Sequence, residues 1–134
     1  MEIAPEWRPS SFWRLRGSYS YLHMDVYRSA HSEDVEPPSS ISGASPQSEV
    51  SIQSAFDISK RLQVDLAYRY VGALPALAVA AYSTGDVRVG WRFNRQLELS
   101  LVGQNLIQPW HLEYGPPPGV GIVRNAYARL TWSR

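Results

Sequence analysis

The chain has 134 residues, of which 44% are hydrophobic, 12% aromatic and only 19% charged, with a formal net charge of +1 and no cysteine. This composition is too apolar for a disordered chain, and its charged share lies below the roughly 25% usual in soluble domains; without cysteine there is no disulfide scaffold, thiolate metal site or cysteine nucleophile. A near-neutral chain gives no electrostatic case for nucleic acid, no run approaches the roughly 18 apolar residues of a transmembrane helix, and the opening from Met1 to Ser10 has no apolar signal-peptide core.

In chain order, a weak alternation over residues 2–7 predicts a partial strand. Between Trp13 and Tyr21 the residues Trp13, Leu15, Gly17, Tyr19 and Tyr21 alternate with Arg14, Arg16, Ser18 and Ser20. A period of two places alternate side chains on opposite faces, so it is a strand signal. From Val50 to Ile58 the apolar set is Val50, Ile52, Phe56 and Ile58, interrupted at Ser54. From Leu62 to Tyr70, Leu62, Val64, Leu66, Tyr68 and Tyr70 oppose Gln63, Asp65, Ala67 and Arg69. From Asp86 to Phe93, Val87, Val89, Trp91 and Phe93 oppose Asp86, Arg88, Gly90 and Arg92. Leu97, Leu99 and Leu101 oppose Glu98 and Ser100 in the next segment, and Ala126, Ala128, Leu130 and Trp132 oppose Asn125, Tyr127, Arg129 and Thr131 in the last.

The connections alternate in length. Short ones are expected near residues 8–11, 59–61 and 94–96, and long ones over 28–48, 74–81 and 109–122. The long ones carry loop compositions, rich in Ser, Pro and Gly, and residues 28–49 set Arg28 against Glu33, Asp34, Glu36 and Glu49. In a meander this order gathers the short turns at one end and the long loops at the other, as in outer-membrane barrels. The aromatics sort along the same axis: Trp7, Phe12, Trp13, Phe56, Trp91, Phe93 and Trp132 toward the short-turn end, Tyr19, Tyr21, Tyr68, Tyr70 and Tyr82 toward the long loops. Trp13 and Tyr21 share a face, and at the rise and tilt of a barrel strand they are separated by roughly 19 Å of depth, close to the ~25 Å apolar band of such barrels. The expected fold is therefore all-β: an antiparallel up-and-down meander of six to seven strands forming part of a transmembrane barrel wall. Seven strands at ~5 Å spacing are too few for a wide barrel, so an open, curved sheet or a strained small closure is expected, with the first and last strands exposing unpaired backbone groups. A small soluble secreted or periplasmic β-sandwich binding module is the alternative.

The polar face defines the candidate site. Arg14, Arg16, Arg69, Arg88, Arg92 and Arg129 share it with Asp57, Asp65, Asp86 and Glu98. Such a mixed set suits interstrand ion pairs facing a wet lumen. Other candidates are weaker. His111 and Glu113 have the H-x-E spacing of zinc deaminases, whose signature also needs cysteines. His23 and Asp25 lie two residues apart on one strand face and could hold a metal with a third ligand, but their place at the external end of a strand fits ordinary rim polarity better. His23, His31 and His111 all fall at or beyond strand ends, and no serine pairs with any of them as nucleophile. No enzyme, metal or cofactor is expected.

The stretch Gly103-Gln104-Asn105-Leu106-Ile107-Gln108-Pro109-Trp110-His111-Leu112-Glu113-Tyr114-Gly115 resembles the penultimate strand and last external loop of TonB-dependent outer-membrane receptors. Arg69-Tyr70-Val71 with Leu74-Pro75 resembles a strand-to-loop passage of the same family, and Ala81-Tyr82-Ser83-Thr84-Gly85-Asp86-Val87-Arg88 the strand that follows. Arg124, Tyr127 and Trp132 resemble its final strand, and Glu6-Trp7-Arg8-Pro9 with Trp13-Arg14-Leu15 a periplasmic turn. The resemblance implies that residues 1–134 are the C-terminal portion of such a receptor in the cell outer membrane, without its plug domain, in contact with outer-membrane lipid. It also implies missing N-terminal barrel strands and a plug as partners, TonB acting through that plug, and uptake of a scarce ligand, first of all an iron-siderophore complex. The chain departs from the family in having no plug, no TonB-contacting segment and no signal peptide, and in ending at Arg134 where an aromatic residue is usual.

Overall fold

The structure, a computed structural model, describes residues 1–24, 43–115 and 121–133. Its strands are β1 (Glu2–Ile3), β2 (Glu6–Ser10), β3 (Trp13–Tyr21), β4 (Ser48–Asp57), β5 (Leu62–Val71), β6 (Tyr82–Arg92), β7 (Leu97–Gln104), β8 (Trp110–Leu112), β9 (Gly121–Val123) and β10 (Asn125–Trp132). The long strands β3, β4, β5, β6, β7 and β10 pair in that order, each antiparallel to the next, and β1 and β2 both line the outer side of β3. This is the expected all-β up-and-down meander. The sheet is open: β10 pairs with β7 and with no other strand.

All six alternating segments are strands, with shifted ends. β4 starts at Ser48 and stops before Ile58, which joins the turn. β6 begins at Tyr82, four residues before the alternation becomes regular at Asp86. The weak strand at the start runs on through Arg8, Pro9 and Ser10, so the expected turn at 8–11 shrinks to Ser11 and Phe12. Pro9 is tolerated because β2 lies at a sheet edge, where a missing N–H costs no ladder bond, and the register shifts between Trp7 and Ser10. Two of the expected loops also contain regular structure. Within 109–122, β8 and β9 form a separate two-stranded sheet, and within 74–81, Pro75–Leu77 form a 3-10 turn closed by Ala78 at φ 53°. The Ser- and Pro-rich stretch of 28–48 lies outside the described residues up to 42, as do Asp25, His31, the proline run 116–118 and Arg134.

Backbone hydrogen bonds fix the two ends. The N–H of Asp57 donates to Phe12, that of Arg92 to Arg61 and that of Ser133 to Gln96, which gathers the short turns. At the other end Leu22 N–H donates to Gln47, Ala76 to Gly43 and Leu106 to Gly85, which gathers the described parts of the long connections.

Cross-strand partners share a face, so the register assigns every side chain. One face carries Trp13, Phe56, Val64, Val89, Leu101 and Ala128 in a single row, with Leu15, Ser54, Leu66 and Val87 in the next. The opposite face carries Arg14, Ala55, Asp65, Arg88, Val102 and Tyr127. Ser54, the one polar interruption, is used: its Oγ accepts a 2.9 Å bond from Trp13 Nε1. Trp13 also stacks on Phe56 at 5.6 Å and meets Trp7 at 6.0 Å.

No second layer covers the apolar face among the described residues. Leu101 is 59% exposed, Leu130 66% and Ile52 42%, although all three are mid-strand. The buried apolar residues are Val71, Leu74, Val79 and Tyr82, with Leu77 and Leu112 packed against them. They lie at the long-loop end, under the 3-10 turn and β8, on the side of the charged face. Tyr82 stands at the long-loop end, as expected, but on a different face from the other tyrosines there. Its parity matches Thr84 and Asp86, so it faces away from Tyr19, Tyr21, Tyr68 and Tyr70 and is buried at 5% exposure.

Candidate functional site

The charged face is assembled by register. Asp65 on β5 stands directly opposite Arg88 on β6, and their side chains meet at 2.7 Å. Arg88 also pairs with Glu98 on β7, although the residue opposite Glu98 is Arg92. Arg88 gets there by lying across Gly90: a Cβ at position 90 would stand 2.9 Å from its guanidinium. Arg92 holds the second oxygen of Glu98 at 3.6 Å. Two carboxylates and two arginines thus form a chain of alternating sign over three strands.

The remaining charges form smaller groups. Arg14 reaches diagonally to Asp57 at 3.3 Å, and Asp57 also accepts a 2.8 Å bond from Gln63 Nε2. Arg69 reaches diagonally to Glu49 at 3.0 Å. Arg16 sits opposite Glu6 and pairs with it at 3.2 Å, while Arg8 takes the other oxygen of Glu6 at 3.0 Å. Asp86 pairs with no arginine; its Oδ1 accepts the backbone N–H of Asn105 at 2.9 Å. Arg129, on the edge strand, lies 6.0 Å over the Tyr127 ring and has no carboxylate partner among the described residues. All nine lumen-facing candidates, Arg14, Arg16, Asp65, Arg69, Asp86, Arg88, Arg92, Glu98 and Arg129, share this face, as does Asp57.

Glu6 and Glu49 were missed in the sequence. Glu49 was counted with the acidic loop, yet it is the second residue of β4, one step from Val50 and so of opposite parity. Glu6 precedes Trp7 in a strand too weakly patterned to orient. With both added, and Arg8 beside Glu6, the apparent surplus of arginine shrinks. Most of these groups are between a third and two-thirds exposed, and each cross-strand pair other than those of the solvated Glu6 contributes about 0.2–1 kcal/mol. Over the face lies a groove of about 320 Å³, walled by Arg14 and Arg16 on one side and Asp65, Asp86 and Arg88 on the other, with Ala55 and Ala67 between them.

The Asp86–Asn105 bond also shapes the exit of β7. Asn105 adopts φ 57°, a left-handed conformation that Asn tolerates, and the chain folds back so that Leu106 and Ile107 lie against Gly103 and Gly85. A Cβ at either glycine would stand 3.2 or 2.9 Å from those side chains. Farther along, His111 and Glu113 do meet, at 3.2 Å through Nε2. The His111 ring is buried and stacks on Tyr82 at 4.4 Å, with Nδ1 unpaired, so its contacts pin β8 to the small core. His23 lies past the end of β3. Among the described residues no three His, Asp or Glu side chains gather as a metal site.

No protein-family model matches the chain, and no curated protein matches it.

Proposed function

We propose that this chain is a section of the wall of an outer-membrane β-barrel, of the TonB-dependent receptor kind, that takes up a scarce ligand, with an iron-siderophore complex as first candidate. The observation that carries the reading is the division of one sheet into two unlike faces, with the apolar one uncovered. Burying a Leu or Phe side chain is worth about 1.5–3 kcal/mol, and a sheet that leaves a whole apolar face outside its own core needs an apolar neighbour to supply it. Lipid does so without a second sheet. A soluble β-sandwich module would set a second layer there, and among the described residues none does so. The paired charges of the other face suit a water-filled lumen, where they bind neighbouring strands together and face the plug. The resemblance of Gly103 to Gly115 and of Arg69 to Pro75 supplies the family, the plug, TonB and the ligand class.

The edges support further strands as partners. β2 and β10 run in the same direction, since each is separated from β3 by an odd number of antiparallel steps. A ring closed by antiparallel pairing alone therefore needs an odd number of additional strands, and a second copy with its loops at the same end would have to pair in parallel.

Two measurements test this. The purified chain should aggregate in plain buffer, be monodisperse in detergent and bind phosphatidylcholine vesicles; a monodisperse monomer in plain buffer would overturn the wall. In cells, removal of the segment encoding β7 to β10 should abolish uptake of radioactive iron presented as a ferric siderophore, and unchanged uptake would overturn the ligand assignment alone.

A further inference from the structure

The short-turn end of the sheet is basic. The short turns hold Lys60, Arg61 and Arg95 and no Asp or Glu between residues 11–12, 58–61 and 93–96. Lys60, Arg61 and Arg95 are exposed, and none of them has a carboxylate partner among the described residues. The nearest carboxylates of the charged face are taken: Asp57 by Arg14 and Gln63, Glu98 by Arg88 and Arg92.

Each short turn also projects an exposed apolar residue, and in two of the three turns a cation follows it two residues on, Lys60 after Ile58 and Arg95 after Phe93. Phe12 is 54% exposed, Ile58 60% and Phe93 49%, and Trp7, Trp91 and Trp132 stand exposed in the strands beside them. Apolar side chains beside cations make an interfacial arrangement: the rings and aliphatic groups lie at the acyl boundary while the long cationic side chains reach the phosphates. A solvated turn needs neither component.

We infer that the short-turn rim is a seat for anionic phospholipid headgroups, held by Lys60, Arg61 and Arg95 and anchored by Phe12, Ile58 and Phe93. The inference rests on the membrane-wall reading and adds to it a lipid chemistry and a side. It makes the short-turn end the one that faces the leaflet richer in anionic phospholipid.

The test is flotation of the full chain, diluted from detergent, with phosphatidylcholine vesicles and with vesicles containing about one quarter phosphatidylglycerol. Each unpaired cation near an anionic surface should raise partitioning about fivefold at low salt, and added salt should erase the gain. The combined variant Lys60→Gln, Arg61→Gln, Arg95→Gln should bind phosphatidylcholine vesicles like the parent chain and show little of the gain. Among the described residues these side chains make no hydrogen bond or ion pair, so circular dichroism in detergent should not change. Arg124→Gln, at the long-loop end, should keep the gain. Equal binding of the parent chain to both vesicles overturns the inference and leaves the wall standing, as does a gain that survives the combined variant. A gain lost as strongly in Arg124→Gln as in Arg95→Gln points to net charge and overturns it too. Failure to bind phosphatidylcholine vesicles at all overturns the membrane-wall reading and this inference with it.

Discussion

Arg88 reaches Glu98 across the bare backbone of Gly90, and the reach depends on the missing side chain. Glycine inside a strand usually costs about 0.5–1 kcal/mol relative to alanine. At Gly17, where the nearest atom to a new Cβ is 3.8 Å away, Gly17→Ala should gain that amount. At Gly90 the methyl group meets the Arg88 guanidinium at 2.9 Å and displaces it from Glu98. Gly90→Ala should therefore gain nothing, or lose up to about 1 kcal/mol, because the broken pairs offset the backbone term. Urea unfolding of both variants in detergent checks this, and equal stabilisation of the two would show that the Arg88 bridge contributes nothing. Neither Gly90 nor Ser54 could be understood from the sequence, where Ser54 reads as a gap in the apolar set and Gly90 as one more member of the polar one. Their roles are cross-strand, and a single segment does not reveal what lies opposite it.

At the scale of the element, legibility followed length. Strands of eight residues or more announce themselves by period two, and their faces follow, which is why all nine charged candidates fall together. β8 and β9 have three residues each, too few for a period, and a proline run separates them in the sequence. The start of β6 was hidden for another reason. Ser83 and Gly85 occupy the apolar parity and Tyr82 the polar one, so the alternation is inverted there while the ladder to β5 continues. Tyr82 and His111 now explain each other: the buried stack fastens β8 to the sheet end. His111→Ala should leave the strands of the large sheet intact and release this attachment. Proteolysis between residues 109 and 124 should accelerate with little change in circular dichroism. If the whole chain unfolds instead, the small core is an essential part of the sheet, and its role as an attachment is wrong.

At the scale of the whole molecule the question is what touches the uncovered face. Leu101 stands in the middle of β7 and is 59% exposed within the chain. A surface arginine at such a site changes stability by no more than about 0.5 kcal/mol in water. Facing lipid near the midplane, Leu101→Arg should cost about 2–4 kcal/mol, whereas Gln53→Arg, mid-strand on the charged face, should cost little. Unfolding from vesicles measures both, and a small cost at Leu101 would remove lipid from that face. Position 100, the neighbour on the opposite face, is a poor reporter because Ser100 is only 3% exposed and is shielded by the protein itself.

Adjacent and exposed Ile52 and Gln53 give the most direct reading of the two faces. In vesicles, a cysteine at position 52 should resist a water-soluble maleimide and, once tagged with a fluorophore in detergent and reconstituted, be quenched by a lipid-borne quencher. A cysteine at position 53 should react with the maleimide and escape the quencher. The same behaviour at both positions, or quenching at 53 and labelling at 52, would contradict a sheet that holds lipid on its apolar face and water on its charged one.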